Sequence, residues 1–359
     1  MGSEKKGGKF EISYLKMIAS GNLRYRFVSQ GLDLELVEKT LNAVKAEADW
    51  LPVWMKVGEM FRQWGEEALK AKHPVSAGEF FMKATLAYHW AQFLHFHDLE
   101  GKERAQQAKV SVYAKARPLL NPPIQPMEVS FEGVSMPVEI RYPAGRGPHP
   151  AVFFVDGTDS TKEENYVIGN SLLARGLAVV SFDGPGQGEV WPHMKMRPDF
   201  YKAISAVADA VCRLPEIDKN RLTLLGKSFG GLTAPAAAAH DSRFKACVAN
   251  GGYFDMTMFD WNDPLRAIRF KHVTGTPSVE AAKEASKEFT LAPCIRQVKV
   301  PLLVIHGGRD SVPVAAAKKI ADEAGGMGTF MIFPEGIHCT HNISYKVNPF
   351  TADWLADHS

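Results

Sequence analysis

A parallel α/β sheet covered on both faces, preceded by an all-helical module, is the fold class that this 359-residue sequence predicts. Three observations carry it. From about Leu34 to Arg117 apolar residues recur at helical spacing (Leu36, Leu41 and Val44; Trp54, Val57, Phe61 and Trp64; Phe80, Ala84, Ala87 and Ala91), with no strand pattern among them. Beyond residue 150, short continuous apolar runs alternate with helical stretches, as in parallel sheets buried on both faces. One of these runs, Leu222 to Leu225, ends abruptly in Gly226-Lys227-Ser228-Phe229-Gly230 and is followed by the small-residue stretch Leu232 to His240.

Taken in chain order, the Gly- and Lys-rich opening Met1 to Lys9 reads as a disordered tail. The periodic region resolves into about four helices forming one module. The Pro-rich stretch Pro118 to Pro126 breaks it and suits a linker, so a helical domain over 1–120 and a sheet domain over 121–359 are expected. Val129 to Tyr142 alternates in two runs around Gly133-Val134, as a β-hairpin does. The strands expected next are Ala151 to Val155, Leu177 to Phe182, Arg221 to Leu225, Ala246 to Ala249, Leu302 to His306 and Thr329 to Phe333. Ligands of such sheets bind at the carboxyl ends of the strands. The chemically suggestive residues fall there: Asp156-Gly157-Thr158, Asp183-Gly184-Pro185-Gly186, Ser228, Asp310 and His338.

Bulk properties narrow the partner. Lys and Arg total 42 against 40 Asp and Glu, and no basic block interleaves with aromatics, which argues against nucleic acid and for a small-molecule substrate. No run approaches the roughly 18 apolar residues of a membrane span. Cys212, Cys247, Cys294 and Cys339 lie far apart without metal-ligand spacing, and no apolar signal segment opens the sequence; free thiols in a reducing cytoplasm are expected.

A serine hydroxyl is a poor nucleophile at neutral pH and needs a histidine, oriented by a carboxylate, to take its proton. Ser228 sits in a nucleophile elbow: Gly226 and Gly230 remove the side chains that a sharp strand-to-helix turn cannot accommodate. The α/β-hydrolase order is serine, acid, histidine. Asp310 follows the penultimate strand and His338 the last, which completes a triad; His341 is the rival histidine. Charge developing on the substrate oxygen needs two preset donors. One is the amide of Phe229, the other falls to Thr158, with Gly157 as the alternative. This chemistry requires no metal and no organic cofactor. Asp183-Gly184-Pro185-Gly186-Gln187-Gly188 superficially resembles a phosphate cradle, but no Lys-Ser/Thr pair follows, and a tight structural turn between strand and helix is the better reading. Lys227 is read as a solvated or structural side chain, and Cys339, with no elbow and no separate base, not as a nucleophile.

Substrate contacts are expected from Asp156, from the patch Tyr253, Trp261, Asn262 and Asp263, and from Tyr88 and His89 on the helical module, although aromatics at helical spacing are more often packing. A site covered by both regions would exclude water and favour an aromatic or polyketide-like substrate.

These residues resemble the 2,6-dihydroxypseudooxynicotine hydrolase family, serine C–C hydrolases related to fungal polyketide-shortening pigment hydrolases and to the fermentation-respiration switch proteins. The resemblance rests on Ser76-Ala77-Gly78-Glu79, Pro148-His149-Pro150-Ala151-Val152, Ser160-Thr161-Lys162-Glu163-Glu164, Phe182 to Glu189, the elbow, and Gly336-Ile337-His338-Cys339-Thr340-His341-Asn342. It implies an α/β-hydrolase fold, a Ser228–His338–Asp310 triad, and an N-terminal helical domain that caps the site and helps form a homodimer. One departure stands out: the family uses an additional glutamate on the loop after the strand that follows the elbow, and Asn262 aligns there, beside Asp260 and Asp263. The expected activity is acyl-enzyme cleavage of a C–C bond in a β-diketone or aryl ketone. A carboxylesterase, lactonase or thioesterase would use the same residues. A binding or regulatory protein that kept the fold without turnover is the third reading.

Overall fold

The computed structural model describes residues 22–359 apart from Leu94 and His97. The expected tail, Met1 to Lys9, lies outside the described residues. Two compact units emerge: one holds the described residues up to Gln125 together with Asn262–Arg269, the other holds Pro126–Trp261 and Phe270–Ser359. The division thus falls at Gln125/Pro126, not at residue 120, and the short segment Asn262–Arg269 counts with the helical unit, which a reading along the chain did not anticipate.

The helical unit contains α1 (Asn22–Ser29), α2 (Leu34–Ala43), α3 (Trp50–Lys70), α4 (Pro74–Phe93) and α5 (Leu99–Ala116). The first escaped the sequence reading because only Leu23 and Phe27 of its residues are buried, too short a stripe to show a period. Helix α4 is buried on nearly all sides, since α3 and α5 both pack on it. Glycines on α3 permit the close approach: a Cβ on Gly58 would lie 2.4 Å from the Tyr88 ring, and one on Gly65 the same distance from Phe81. The Phe27 ring meets Trp90 at 4.0 Å and Trp54 at 5.2 Å, and the Trp50 indole donates to the Trp90 carbonyl at 2.7 Å. The guanidinium of Arg269, from the later segment, lies over Phe93.

The second unit is built on an eight-stranded sheet ordered β1-β2-β4-β3-β5-β6-β7-β8, with β1 Gln125–Phe131, β2 Val134–Arg141, β3 His149–Val155, β4 Ala178–Phe182, β5 Ile217–Lys227, β6 Phe244–Asn250, β7 Leu302–Gly307 and β8 Gly328–Phe333. Strand β2 runs antiparallel to β4; the neighbours from β4 across to β8 are parallel. The hairpin turns at Glu132-Gly133, both at positive φ as a tight two-residue turn requires, so the pivot is one position before Gly133-Val134. The Pro-rich stretch is not only a linker: Arg117–Leu119 form a 3-10 turn, and Gln125-Pro126 already belong to β1.

Residues alternate between two cores. Phe153, Val155, Leu222 and Leu224 face one core with α7 (Tyr201–Val211), α8 (Gly230–His240) and α11 (Val314–Asp322). Val152, Phe154 and Leu225 face the other with α6 (Tyr166–Leu173) and α12 (Ser344–Asp357). Between β6 and β7 lie α9 (Pro264–Thr274) and α10 (Val279–Ala285). Register aligns the carboxyl ends of adjacent strands, Val155 beside Gly226 and Lys227 beside Asn250. Loops leaving these ends therefore emerge together. Among the described residues no helix is long and apolar enough to cross a membrane.

Candidate active site

Strand β5 ends at Lys227 and Ser228 follows it, with a φ of 56°, a left-handed conformation uncommon for a residue with a side chain. The flanking glycines are required by contact as well as by turn geometry. A Cβ on Gly226 would lie 2.0 Å from the Gly230 carbonyl oxygen, and one on Gly230 would lie 1.9 Å from that of Val155. The Ser228 amide is held by the Asn250 carbonyl at 2.9 Å, and α8 opens two residues after the serine.

Asp310 and His338 come from the loops after β7 and β8. His338 Nε2 lies 2.9 Å from Ser228 Oγ, while its Nδ1 lies 2.9 and 3.0 Å from the two oxygens of Asp310. His338, rather than its rival His341, thus spans both partners. Asp310 is fully enclosed and also accepts the Val312 amide at 2.9 Å. Burial opposes its charge, but His338 and that amide outweigh it and keep the carboxyl below its usual range. The His338 side chain is 35 % accessible, yet both ring nitrogens are enclosed by their partners. That desolvation disfavours the imidazolium, and the adjacent Asp310 carboxylate more than compensates, raising the His338 pKa well above the ordinary histidine value.

The histidine loop is shaped by residues of the Gly336–Asn342 block and by Asn250, which the sequence reading did not single out. Cys339 and Thr340 both have positive φ, 52° and 57°, and Asn250 Nδ2 donates to the Cys339 carbonyl at 3.3 Å and to Thr340 Oγ1 at 3.1 Å. Asn342 Oδ1 accepts the Ile337 amide at 2.9 Å. The Cys339 thiol is buried and directed to the Asn250 carbonyl. Behind the triad, buried His306 donates from Nε2 to the Val312 carbonyl at 3.0 Å and leaves Nδ1 3.9 Å from Asp310; burial, opposed by Asp310, lowers its pKa.

The loop after β3 lies against Ser228: a Cβ on Gly157 would come 3.1 Å from the Ser228 Cβ. Among the described residues no acceptor takes the backbone amides of Gly157, Thr158 or Phe229. Asp156, expected as a substrate contact, is turned to a neighbouring side chain. Its carboxyl is buried, accepts from Asn165 Nδ2 at 2.8 Å, and burial together with Glu164 raises its pKa well above the carboxylate range.

The other expected substrate contacts separate. Tyr253 is buried in the core of the sheet unit with its ring 6.1 Å from Phe259, and Trp261 packs edge-on to Phe259 and Phe270. Asn262 and Asp263 fall in the helical unit, where Asp263 accepts the Leu265 amide in the first turn of α9 at 3.0 Å and pairs with Arg266. Tyr88 donates to Glu59 at 3.2 Å, and His89 contacts Gln92 and the Trp90 ring, all within the helical unit. For Tyr88 and His89 the packing alternative accounts for the contacts seen.

The Asp183–Gly188 turn also departs from expectation. No helix follows directly, since the next one is α7. The turn instead closes an ionic cage around Lys162, whose buried ammonium lies 3.1 Å from Glu163, 3.1 Å from Asp183 and 2.6 Å from Glu189. These three carboxylates are close enough to share a cation, and the lysine ammonium stands among them. Lys227 sits over the Phe154 ring.

With the geometry in place, residues 37–269 match the family described as FrsA-like esterases. The chain belongs to the FrsA-like esterase family. This FrsA-like chain is 35 % identical to the 2,6-dihydropseudooxynicotine hydrolase of Paenarthrobacter nicotinovorans, over 87 % of its own length and 85 % of that protein. It superposes on the crystal structure of the 2,6-dihydroxy-pseudo-oxynicotine hydrolase with a TM-score of 0.87 at 34 % identity, covering 93 % and 95 % of the two chains. The 20-hydroxy-prefusarin hydrolase FUS2 of Gibberella moniliformis is 32 % identical over 58 % of this chain and 52 % of its own, so the FrsA-like chain spans about half of that relative. The α/β-hydrolase fold and the assignment to hydrolases follow from these matches.

Proposed function

We propose that the protein is a serine hydrolase that cleaves a C–C bond in a β-diketone or aryl ketone of an aromatic or polyketide-like small molecule. The observation that carries this reading is the continuous hydrogen-bond chain Ser228–His338–Asp310 at a strained elbow. Ser228 Oγ attacks the carbonyl as His338 takes its proton. The tetrahedral oxyanion is met by the amides of Phe229 and Thr158, with Gly157 the alternative second donor. Its collapse breaks the bond to the neighbouring carbon, which leaves as an enolate and receives the proton from His338. Water, activated by the same imidazole, then releases the acyl group as a carboxylic acid and restores Ser228. One water is consumed, and one acid and one ketone are formed. No metal or organic cofactor enters this chemistry.

The kinship with proteins named as hydrolases of 2,6-dihydropseudooxynicotine and of 20-hydroxy-prefusarin supports the C–C reading. A carboxylesterase, lactonase or thioesterase is the second reading, favoured by the description of the family itself. A side-by-side assay decides between them. Turnover of aryl β-diketones with negligible turnover of matched aryl esters, both lost in Ser228→Ala, is the expected result, and the reverse ratio sinks the C–C proposal. The same reading places the enzyme in a reducing cytoplasm, in keeping with four free cysteines, and has the helical unit contribute to a homodimer. Sedimentation of the full chain as a monomer at micromolar concentration would remove the dimer from it.

The pH profile offers an independent check. His338 must be neutral to accept the serine proton, and Asp310 raises its pKa, so the acidic limb of kcat/KM is expected above the ordinary histidine value of about 6.5. Asp310→Asn removes the charge that raises it, so the limb moves to lower pH while kcat drops by about 10^4-fold. An unmoved limb would mean that another group controls the profile.

A further inference from the structure

We infer that Gln187 is a positioning residue that presets the oxyanion donors on the loop after β3; the inference rests on the reading of Ser228 as nucleophile. The Gln187 side chain is buried. Its Nε2 donates to two successive carbonyls, Asp156 at 3.1 Å and Gly157 at 2.9 Å, and its Oε1 accepts the Gly184 amide at 3.0 Å. Both hydrogens of the carboxamide and its oxygen are therefore engaged. The partners also fix which end is which, since a flipped amide would set its oxygen against two carbonyl oxygens.

The consequence follows from peptide geometry. In a trans peptide the carbonyl and the following N–H point in opposite directions. Holding the carbonyls of Asp156 and Gly157 against Gln187 turns the amides of Gly157 and Thr158 the other way. Those are the amides that take no acceptor among the described residues, on a loop in contact with Ser228. Donors fixed before charge develops need not reorganise during the reaction, and that is what makes an oxyanion hole effective.

The turn carrying Gln187 is itself built to hold it. Asp183 accepts the backbone amides of Lys162 at 3.0 Å and Glu189 at 3.2 Å, and Gly186 and Gly188 take positive φ. A Cβ on Gly188 would lie 2.0 Å from an Asp183 oxygen. The two blocks Ser160–Glu164 and Asp183–Glu189, distant in sequence, thus form one frame around the oxyanion loop, and Gln187 is its contact with the loop backbone.

The test uses the full-length enzyme, whichever of the matched aryl β-diketone and aryl ester the wild type turns over as probe substrate, and an aryl trifluoromethyl ketone as probe inhibitor, whose serine adduct carries the oxyanion. In Gln187→Met, which keeps the volume and loses the donors, kcat is expected to fall 10- to 100-fold with KM within about twofold, below the about 100- to 1000-fold cost of losing a donor itself. The inhibitor Ki should rise in proportion to the fall in kcat/KM. If Gln187→Met does not fold, Gln187→Asn, which keeps the carboxamide but is one methylene too short to reach both carbonyls, is judged by the same parallel between Ki and kcat/KM. Unchanged kcat and Ki, or a lower melting temperature with kcat retained, overturns the inference and reduces Gln187 to a structural residue. Wild-type enzyme that is labelled at Ser228 by a fluorophosphonate but behaves like its Gln187 variants defeats this inference alone, whereas wild-type enzyme left unlabelled defeats the nucleophile reading together with it.

Discussion

Ser228→Ala is expected to lower kcat by about 10^6-fold on any substrate the enzyme turns over, with KM changed by only a few-fold. The nucleophile, the base and the orienting acid act as one unit, so removing the first disables the others, and the residual rate reflects substrate binding and the oxyanion donors alone. The structure supports a clean experiment. The Ser228 side chain donates nothing to the fold beyond its contact with His338, and its backbone amide keeps the bond to Asn250 whichever side chain is present. Far-ultraviolet circular dichroism and the melting temperature should match wild type. A variant that retains more than about one thousandth of kcat would show that Ser228 is not the group attacked through.

Lys162→Met carries the largest expected effect on stability. The lysine side chain is 2 % accessible and its neighbours Glu163 and Asp183 are fully buried. Burial by itself would strip the ammonium of its proton, but Asp183 and Glu163, with Glu139 and Glu189, hold it firmly charged. Exchange for methionine leaves two carboxylates enclosed without their counter-charge, a change that costs about 3–5 kcal/mol in buried ion pairs. The loss should appear as a lower urea midpoint for the sheet unit at neutral pH. A cost below about 1 kcal/mol would show that the cage does not depend on its lysine. Activity is expected to fall as well, since the cage holds the Asp183 turn that carries Gln187.

Much of the site was legible because a nucleophile elbow is a local device. Gly226 and Gly230 are demanded by backbone contacts within a few residues of Ser228 and across to the adjacent strand, so the need for small residues shows in the pentapeptide itself. Asp310 and His338 were legible by position, since strands that alternate with helices bring their carboxyl ends to one edge. Other features had no local signature. Lys162 reads as one charge in a polar run, and Asp183 and Glu189 join Glu163 around it only after β4 lies beside β3. Asp156 resembled a substrate contact because it follows a strand, whereas its carboxyl is turned to Asn165. Asn262–Arg269 reads as part of the insertion after β6 and yet belongs to the helical unit, because Arg269 finds Phe93 there. Gln187 looked like part of a glycine turn because its three hydrogen bonds run mostly to residues some thirty positions away.

The sequence by itself determined the α/β class, the order of the strands along the chain and the three side chains that meet at their ends, since apolar periodicity and close backbone contact leave their mark on neighbouring residues. Tertiary structure alone decided which polar groups support them. It enclosed Asp156 and Lys162, set Asn250 under the histidine loop and put Gln187 against the carbonyls of Asp156 and Gly157. The physical reason is that a buried polar atom is selected by whichever partner lies within about 3 Å after folding, and separation along the chain says nothing about that distance.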